Sequence, residues 1–148
     1  MNISDLLKNP DKAKEVLRDA IDDLNKELAE MLIPIVKDPY LTYKYAQRIV
    51  RKPIKDEWED IIAQSAPVSC WYAENVLHGP FLKGEPTIAK DSLYSFDYAK
   101  NILKDRFLLG ENIIIKDKEY LKDYISFLES IYKLDEFLKD HPEVKDKL

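Results

Sequence analysis

The residues from Tyr72 to Tyr124 carry one pattern twice, and that recurrence limits the fold more than any other feature of the chain. Aligned on a Tyr-Ala pair, WYAENVLHGPFLKGEPTIAKD (71–91) lies over DYAKNILKDRFLLGENIIIKD (97–117). A more divergent copy precedes them at Tyr45-Ala46, and a truncated one follows at Asp123-Tyr124. The anchoring tyrosines Tyr45, Tyr72, Tyr98 and Tyr124 are separated by 27, 26 and 26 residues. A unit of that length cannot bury its own apolar face and becomes stable by packing on copies of itself.

The spacing inside a copy is helical. In the third copy a helix over 92–105 places Phe96, Ala99, Leu103 and Phe107 on one face, and Tyr94, Tyr98 and Ile102 carry the apolar arc well round it. So wide an arc suits a helix buried on more than one side. The second copy offers Cys70, Ala73, Leu77 and Phe81 at the matching positions, and the first Tyr43, Ala46, Val50 and Ile54. Gly79 is placed to end the helix of the second copy as its left-handed residue. A short second helix is expected to begin at Glu57, Glu85 and Glu111. These glutamates read as a structural ladder at helix starts, where unpaired N–H groups favour a carboxylate.

Both ends depart from the pattern. Asn9-Pro10 reads as an N-cap followed by proline in the first helical position. The stripe Leu17, Ile21, Leu24, Leu28 and Met31 then predicts one apolar helix face. That helix is expected to pack across the end of the repeats; the alternative is a homodimer through it. Pro34 and Asp38-Pro39 mark the break before the first copy. In the fourth copy the positions of Phe96, Leu103 and Phe107 hold Lys122, Glu129 and Lys133, while Tyr120, Tyr124, Phe127, Leu128 and Ile131 stay apolar. A terminal repeat needs one polar face of that kind. A capping helix is expected over 117–140, stopped at His141-Pro142, with EVKDKL frayed. The expected fold is therefore all-α: one domain, a right-handed helical repeat solenoid of three and a half units over 38–116, capped by 1–36 and 117–148.

The string from Tyr72 to Phe107 resembles short helical tandem repeats of the form D-P-x-Y-A-x-x-Y-A-x-x-[VI]-[IL]-x-G-R-[FW]-x-x-G-E-x-x-I-x-x-D, met in bacteriophage and large DNA-virus proteins. The likeness covers 38–124 and is most specific at Tyr72-Ala73, Gly79, Phe81, Gly84-Glu85-Pro86, Ile88, Asp91, Tyr98-Ala99, Arg106-Phe107 and Gly110-Glu111. Pro80 stands where the pattern has arginine before Phe81, and Asp105 where it has glycine before Arg106. The resemblance implies an all-α array and a phage or viral origin. It carries no reaction, cofactor or catalytic residue.

Chemistry-bearing residues are sparse. Only one cysteine occurs among 148 residues, so no internal disulfide and no cysteine-rich zinc site can form. Cys70 falls on an inward face and reads as an inert thiol. His78 and His141 lie far apart in sequence, outside any metal-ligand spacing. No cofactor, metal or catalytic set is expected. The amino terminus lacks the basic and apolar regions of a signal peptide, and no apolar run is long enough to cross a membrane, so a cytoplasmic setting is expected.

What remains is the outward arc of the repeat helices. It holds Lys44, Gln47, Arg48 and Arg51, then Trp71, Glu74, Asn75 and His78, then Asp97, Lys100, Asn101 and Lys104. Trp71 is its single large aromatic, and tryptophan among polar residues is a typical interface anchor. The expected partner-binding set is Trp71, Arg48, Arg51, Asn75, His78, Asp97, Asn101 and Lys104. Scattered basic residues in a chain of net charge −5 argue against nucleic acid as the partner. The reading is a non-enzymatic protein-binding module, an accessory protein that occupies a host protein such as a defence factor; the alternatives are a small-ligand or nucleotide sponge and a nucleic-acid-contacting accessory protein.

Overall fold

A computed structural model describes residues 2–148, and every regular element among them is helical. The chain begins with α1 (Ile3–Leu7), α2 (Pro10–Asp22) and α3 (Lys26–Val36). Each starts behind an asparagine, Asn2, Asn9 or Asn25, whose side-chain oxygen accepts an N–H of the first turn. That bond satisfies a donor the helix cannot pair by itself. The apolar stripe from Leu17 to Met31 does not run along one helix. Leu24 takes a left-handed conformation, φ 56°, and Asn25 starts a new helix instead of continuing the old one. The two helices fold back on each other, burying Leu17 and Ile21 against Leu32 and Ile33, while Leu24 and Met31 stay exposed. A dimerising stripe is thereby broken in two. Pro34 lies inside α3, and the break comes at Lys37, another left-handed residue.

From here one arrangement recurs. Helices α4 (Pro39–Tyr45), α6 (Ala66–Tyr72), α8 (Ser92–Asp97) and α10 (Lys118–Ser130) start behind Asp38, Ser65, Asp91 and Asp117. Their side-chain oxygens accept the N–H of Leu41, Val68, Tyr94 and Tyr120. The first three run on into a wider π turn, Ala46–Val50, Ala73–Leu77 and Tyr98–Leu103. Each π turn closes on a left-handed residue, Arg51, His78 or Lys104, with φ of 59°, 54° and 53°. Gly79 therefore does not have the role its sequence position suggests; His78 does, and no glycine here has positive φ. The π turn also slips the helix phase, so that Val76 is buried where Leu77 was expected.

The chain then returns through a single turn to the short helices α5 (Asp56–Ile62), α7 (Glu85–Ile88) and α9 (Glu111–Ile115). Phe81 and Phe107 have left the helix by this point, yet they pack on Tyr72 and Tyr98 at ring-centre distances of 5.0 and 4.9 Å. Gly84 and Gly110 are needed for closeness, not for backbone freedom. A Cβ on either would stand 2.6 Å from the hydroxyl of Ser69 or Ser95. Those serines are fully buried and donate to the carbonyls of Ile62 and Ile88, so the short helix is pressed onto the long one.

The carboxy-terminal part is two helices, not one over 117–140. Tyr132 is left-handed at φ 62°, and α11 (Leu134–Asp140) turns back across the end. Phe137 comes to rest 5.4 Å from Tyr124, beside the last tyrosine as Phe81 and Phe107 are beside theirs. The tail is ordered rather than frayed. Pro142–Lys147 forms a 3-10 turn whose Val144 is completely buried. Lys122 and Glu129 of the expected polar face are exposed, and Lys133 is half-buried.

Candidate functional site

The four anchoring tyrosines are buried, 0–1% exposed, and their hydroxyls explain the period. Tyr72, Tyr98 and Tyr124 donate to Glu59, Glu85 and Glu111 of the preceding unit, each at 2.6 Å. The same hydroxyls accept the backbone N–H of Ile54, Phe81 and Phe107 at 3.1, 3.0 and 3.2 Å. One phenol thus ties a turn and a short helix of one unit to the long helix of the next. Tyr45 has no preceding repeat, and Glu30 on α3 supplies its carboxylate at 2.7 Å. The ladder member in the first copy is Glu59, not Glu57, which is exposed. Burial, and then the glutamate beside it, hold all four phenols well above their ordinary pKa of 10.0.

The third junction carries an added ion pair. Arg106 makes two bonds of 2.7 and 2.8 Å to Glu111, which also receives Tyr124 and lies 3.1 Å from Nε2 of His141. Arg106 reaches Asp140 at 2.9 Å and lies over the ring of Phe137. The Glu111 carboxylate raises the pKa of Arg106 further and keeps it charged. In the two earlier units the matching positions are Pro53 and Pro80, which carry no charge, and there the glutamates are only half-buried. Glu111 is 1% exposed, so this cluster presents no face to a substrate and acts as a clasp for α11.

With the frame held in this way, the expected partner-binding residues fall, together with Lys44 of the same outward arc, into three rows. Lys44, Trp71 and Asp97 share one position in successive units; Arg48, Asn75 and Asn101 share a second; Arg51, His78 and Lys104 share a third, the left-handed helix end. All but the half-buried Lys44 and Asp97 are exposed. Trp71 is 37% exposed, which places it at the surface but not free of contacts. Its ring lies 6.3 Å from Tyr40, edge to face, and 6.1 Å from Tyr43. Tyr40 is itself 47% exposed, and its part in the patch was not apparent from sequence because it precedes the periodic tyrosine.

Polar groups frame these rings. Asn75 donates to the Tyr43 hydroxyl at 3.0 Å, which holds Asn75 beside the patch and Tyr43 beneath it. Lys44 donates to Gln47 at 3.1 Å, and Arg48 pairs with Asp22 of α2 at 3.1 Å. Arg18, Asp22, Tyr40, Lys44 and Arg48 line a depression of about 300 Å³ next to the rings. Asn101 bonds Asp97 within its own unit, so the third unit's members of these rows turn toward each other. The structure therefore joins Trp71, Asn75 and Arg48 to Tyr40 and the N-terminal hairpin. It ties the third-unit residues into no such cluster.

Other candidate chemistry lies elsewhere. Cys70 is fully buried, its thiol pushed up to about 12 by burial and by Asp97. Its Sγ sits 3.8 Å from the Tyr94 carbonyl. Among the described residues no group of three or more His, Cys, Asp and Glu is placed to hold a metal ion, and no helix is long and apolar enough to cross a membrane. Comparison with family models, with curated proteins and with solved structures gives no match for this chain.

Proposed function

We propose that the chain is a non-enzymatic helical-repeat solenoid that binds a protein through the Trp71–Tyr40 face. The observation that carries this reading is the exposed aromatic pair itself. Tryptophan and tyrosine, set rigidly among arginine, lysine and asparagine, are the side chains that dominate binding energy in protein interfaces. The support for a solenoid is the recurrence of cap, π turn, left-handed residue and tyrosine junction in register. The resemblance to phage and viral repeats makes a host protein the expected partner, and blocking that protein the expected role.

The test is Trp71→Ala. Loss of an anchor worth about 2 kcal/mol weakens partner binding by roughly 30-fold. The same change should cost only about 1–2 kcal/mol of stability, since Trp71 loses its contacts with Tyr40 and Tyr43 but leaves no closed cavity. A fully packed tryptophan would cost about 3–5 kcal/mol. Pull-down from host lysate with wild type, Trp71→Ala and the control Tyr132→Ala, whose ring is 94% exposed, reads the first effect; thermal melting reads the second. A captured protein retained equally by Trp71→Ala would remove this face as the binding site.

A further inference from the structure

The opposite end of the molecule carries a second surface built to receive something. A groove of about 780 Å³ lies where α9 meets α10 and the terminal turn. Ile115, Leu121 and Ile125 form its floor. Its rim carries Lys116, Lys118, Lys122 and Lys147, all exposed, and no aspartate or glutamate lines it. Among the described residues none of these four lysines enters an ion pair, whereas Lys12, Lys14, Lys26, Lys83 and Lys133 do. Asp117, between two of the rim lysines in sequence, points its carboxylate at Ser92 and at the first N–H groups of α10. In a chain of net charge −5, four free ammonium groups around an aliphatic floor make a local field of opposite sign.

The register says what kind of object the surface takes. Lys118 and Lys122 occupy on α10 the positions of Ser92 and Phe96 on α8. Those two positions receive the next helix: Ser92 donates to Asp117 at 2.8 Å, and the ring of Phe96 lies 6.3 Å from Tyr120. One unit earlier Cys70, at the position of Phe96, meets the backbone of α8 at Tyr94. The groove thus lies on the helix-receiving side of the last unit, edged by the terminal turn at Lys147 and Leu148, and among the described residues no α-helix covers it. At the internal junction the incoming helix presents a carboxylate, Asp117, to the first of these positions; on α10 that position is a lysine.

We propose that this groove receives an amphipathic helix of a partner protein, apolar on the docked side and acidic along its flanks, seated as a further repeat would be. The surface is separate from the Trp71 face and does not depend on it.

Two labelled peptides of about 18 residues, long enough to form a helix, test this. Both carry leucine at helical spacing; one has glutamate and the other lysine on the flanks. Anisotropy titration should show saturable binding of the acidic peptide and none of the basic one. Lys118→Glu/Lys122→Glu should weaken the acidic peptide by about tenfold or more and admit the basic one, and Ile125→Asp alone should abolish binding of the acidic peptide. Trp71→Ala should change neither titration. Circular dichroism checks that each variant is folded; should the double reversal not fold, Lys116→Glu/Lys147→Glu on the other rim carries the same expectation. Raising salt with the wild type should lower affinity for the acidic peptide. Absence of binding, equal binding of the two peptides, or indifference to charge reversal would overturn the proposal. So would saturable laurate binding without peptide binding, which would make the occupant a small amphiphile. Reversible self-association in sedimentation, lost in the same variants, would make it a second copy of this chain and would also overturn it.

Discussion

Replacing Tyr98 by phenylalanine removes one oxygen from the centre of a junction and leaves the ring packed on Phe107. Two effects follow from the geometry. The bond to the Glu85 carboxylate is charge-assisted, and such bonds contribute about 1.5–3 kcal/mol. The N–H of Phe81 also loses its acceptor, and a buried donor left alone costs about 1–3 kcal/mol. Glu85 is half-buried and can turn to water, so the lower part of each range applies and the expected loss is about 2–4 kcal/mol. Tyr45→Phe is the internal reference. That hydroxyl holds only Glu30, whose side chain is 38% exposed, and no backbone donor depends on it. Its loss should be about 1 kcal/mol. At about 2–4 °C per kcal/mol for a chain of this size, melting should fall by roughly 4–16 °C for Tyr98→Phe and 2–4 °C for Tyr45→Phe. Urea unfolding followed by circular dichroism gives the free energies, and Glu85→Gln alone and combined with Tyr98→Phe gives the coupling. Equal losses at Tyr45 and Tyr98, or a loss below 1 kcal/mol at Tyr98, would refute the claim that these phenols fasten one unit to the next.

The glycines should separate by mechanism. Gly84→Ala and Gly110→Ala push a methyl to 2.6 Å from a buried serine hydroxyl and should cost about 1–3 kcal/mol. Gly79→Ala meets nothing nearer than 4.0 Å and has no positive φ, so it should be neutral or stabilising by about 0.4–1 kcal/mol in the same melts. Glu111→Gln takes the buried partner from Arg106, whose side chain is 9% exposed, and leaves it only the exposed Asp140, so the cost should lie at the lower end of about 3–5 kcal/mol; urea midpoints of Glu111→Gln beside an exposed control, Glu57→Gln, measure it. Raised phenol pKa values mean that folding holds protons the unfolded chain releases. The stabilisation is intact below pH 10 and falls as pH rises above it, by about 1.4 kcal/mol per pH unit for each buried tyrosine. Urea midpoints that stay flat from pH 9 to pH 11 would contradict that assignment. Cys70 should resist a thiol reagent until the chain unfolds, because its thiol is both buried and held protonated.

How far the sequence could be read depended on whether the determining contact was local. Helical character, the tyrosine period and the inward place of Cys70 were legible because burial imposes a regular spacing. The glutamates of the second and third copies were legible as a row, but their bond to the next tyrosine was not, since it reaches back 13 residues across a turn. In the first copy Glu57 and Glu59 stand two apart, and the extra residue of that copy hides which one faces Tyr72. The hairpin at Leu24 was hidden because an exposed leucine in the turn happens to continue the apolar spacing. His78 was passed over as the left-handed residue in favour of Gly79, the type that tolerates that conformation best. The clasp joining Arg106, Glu111 and His141 reaches across 30 residues from Glu111 to His141, and its members look like ordinary polar and charged residues until α11 folds back. Val144, one of only two apolar residues in EVKDKL, was too little signal to mark the tail as packed.

The junction bonds lie mostly apart from the proposed binding face. The bonds that fasten one unit to the next use mainly tyrosine, glutamate, serine and backbone groups pointing inward, with an outer pair from Lys83 to Asp56 and Asp60. Among the described residues the row 51/78/104 takes no part in them, and of the rows 44/71/97 and 48/75/101 only Asn75 does, through its bond to the Tyr43 hydroxyl. Even the left-handed position of the third row, which would ordinarily call for glycine, is filled by arginine, histidine and lysine. A non-glycine residue at positive φ carries a strain of order 1–3 kcal/mol. A chain selected for stability alone would place glycine or asparagine there. Leu24, Lys37 and Tyr132 show that this chain uses non-glycine residues at left-handed positions elsewhere too, but only in the third row do polar or charged side chains recur there in each complete unit, as the proposed partner contact would require. Arg51→Gly, His78→Gly and Lys104→Gly should therefore each raise the melting temperature while weakening partner capture. A stabilised triple variant that still captured its partner at the wild-type level would show that the third row has no part in binding.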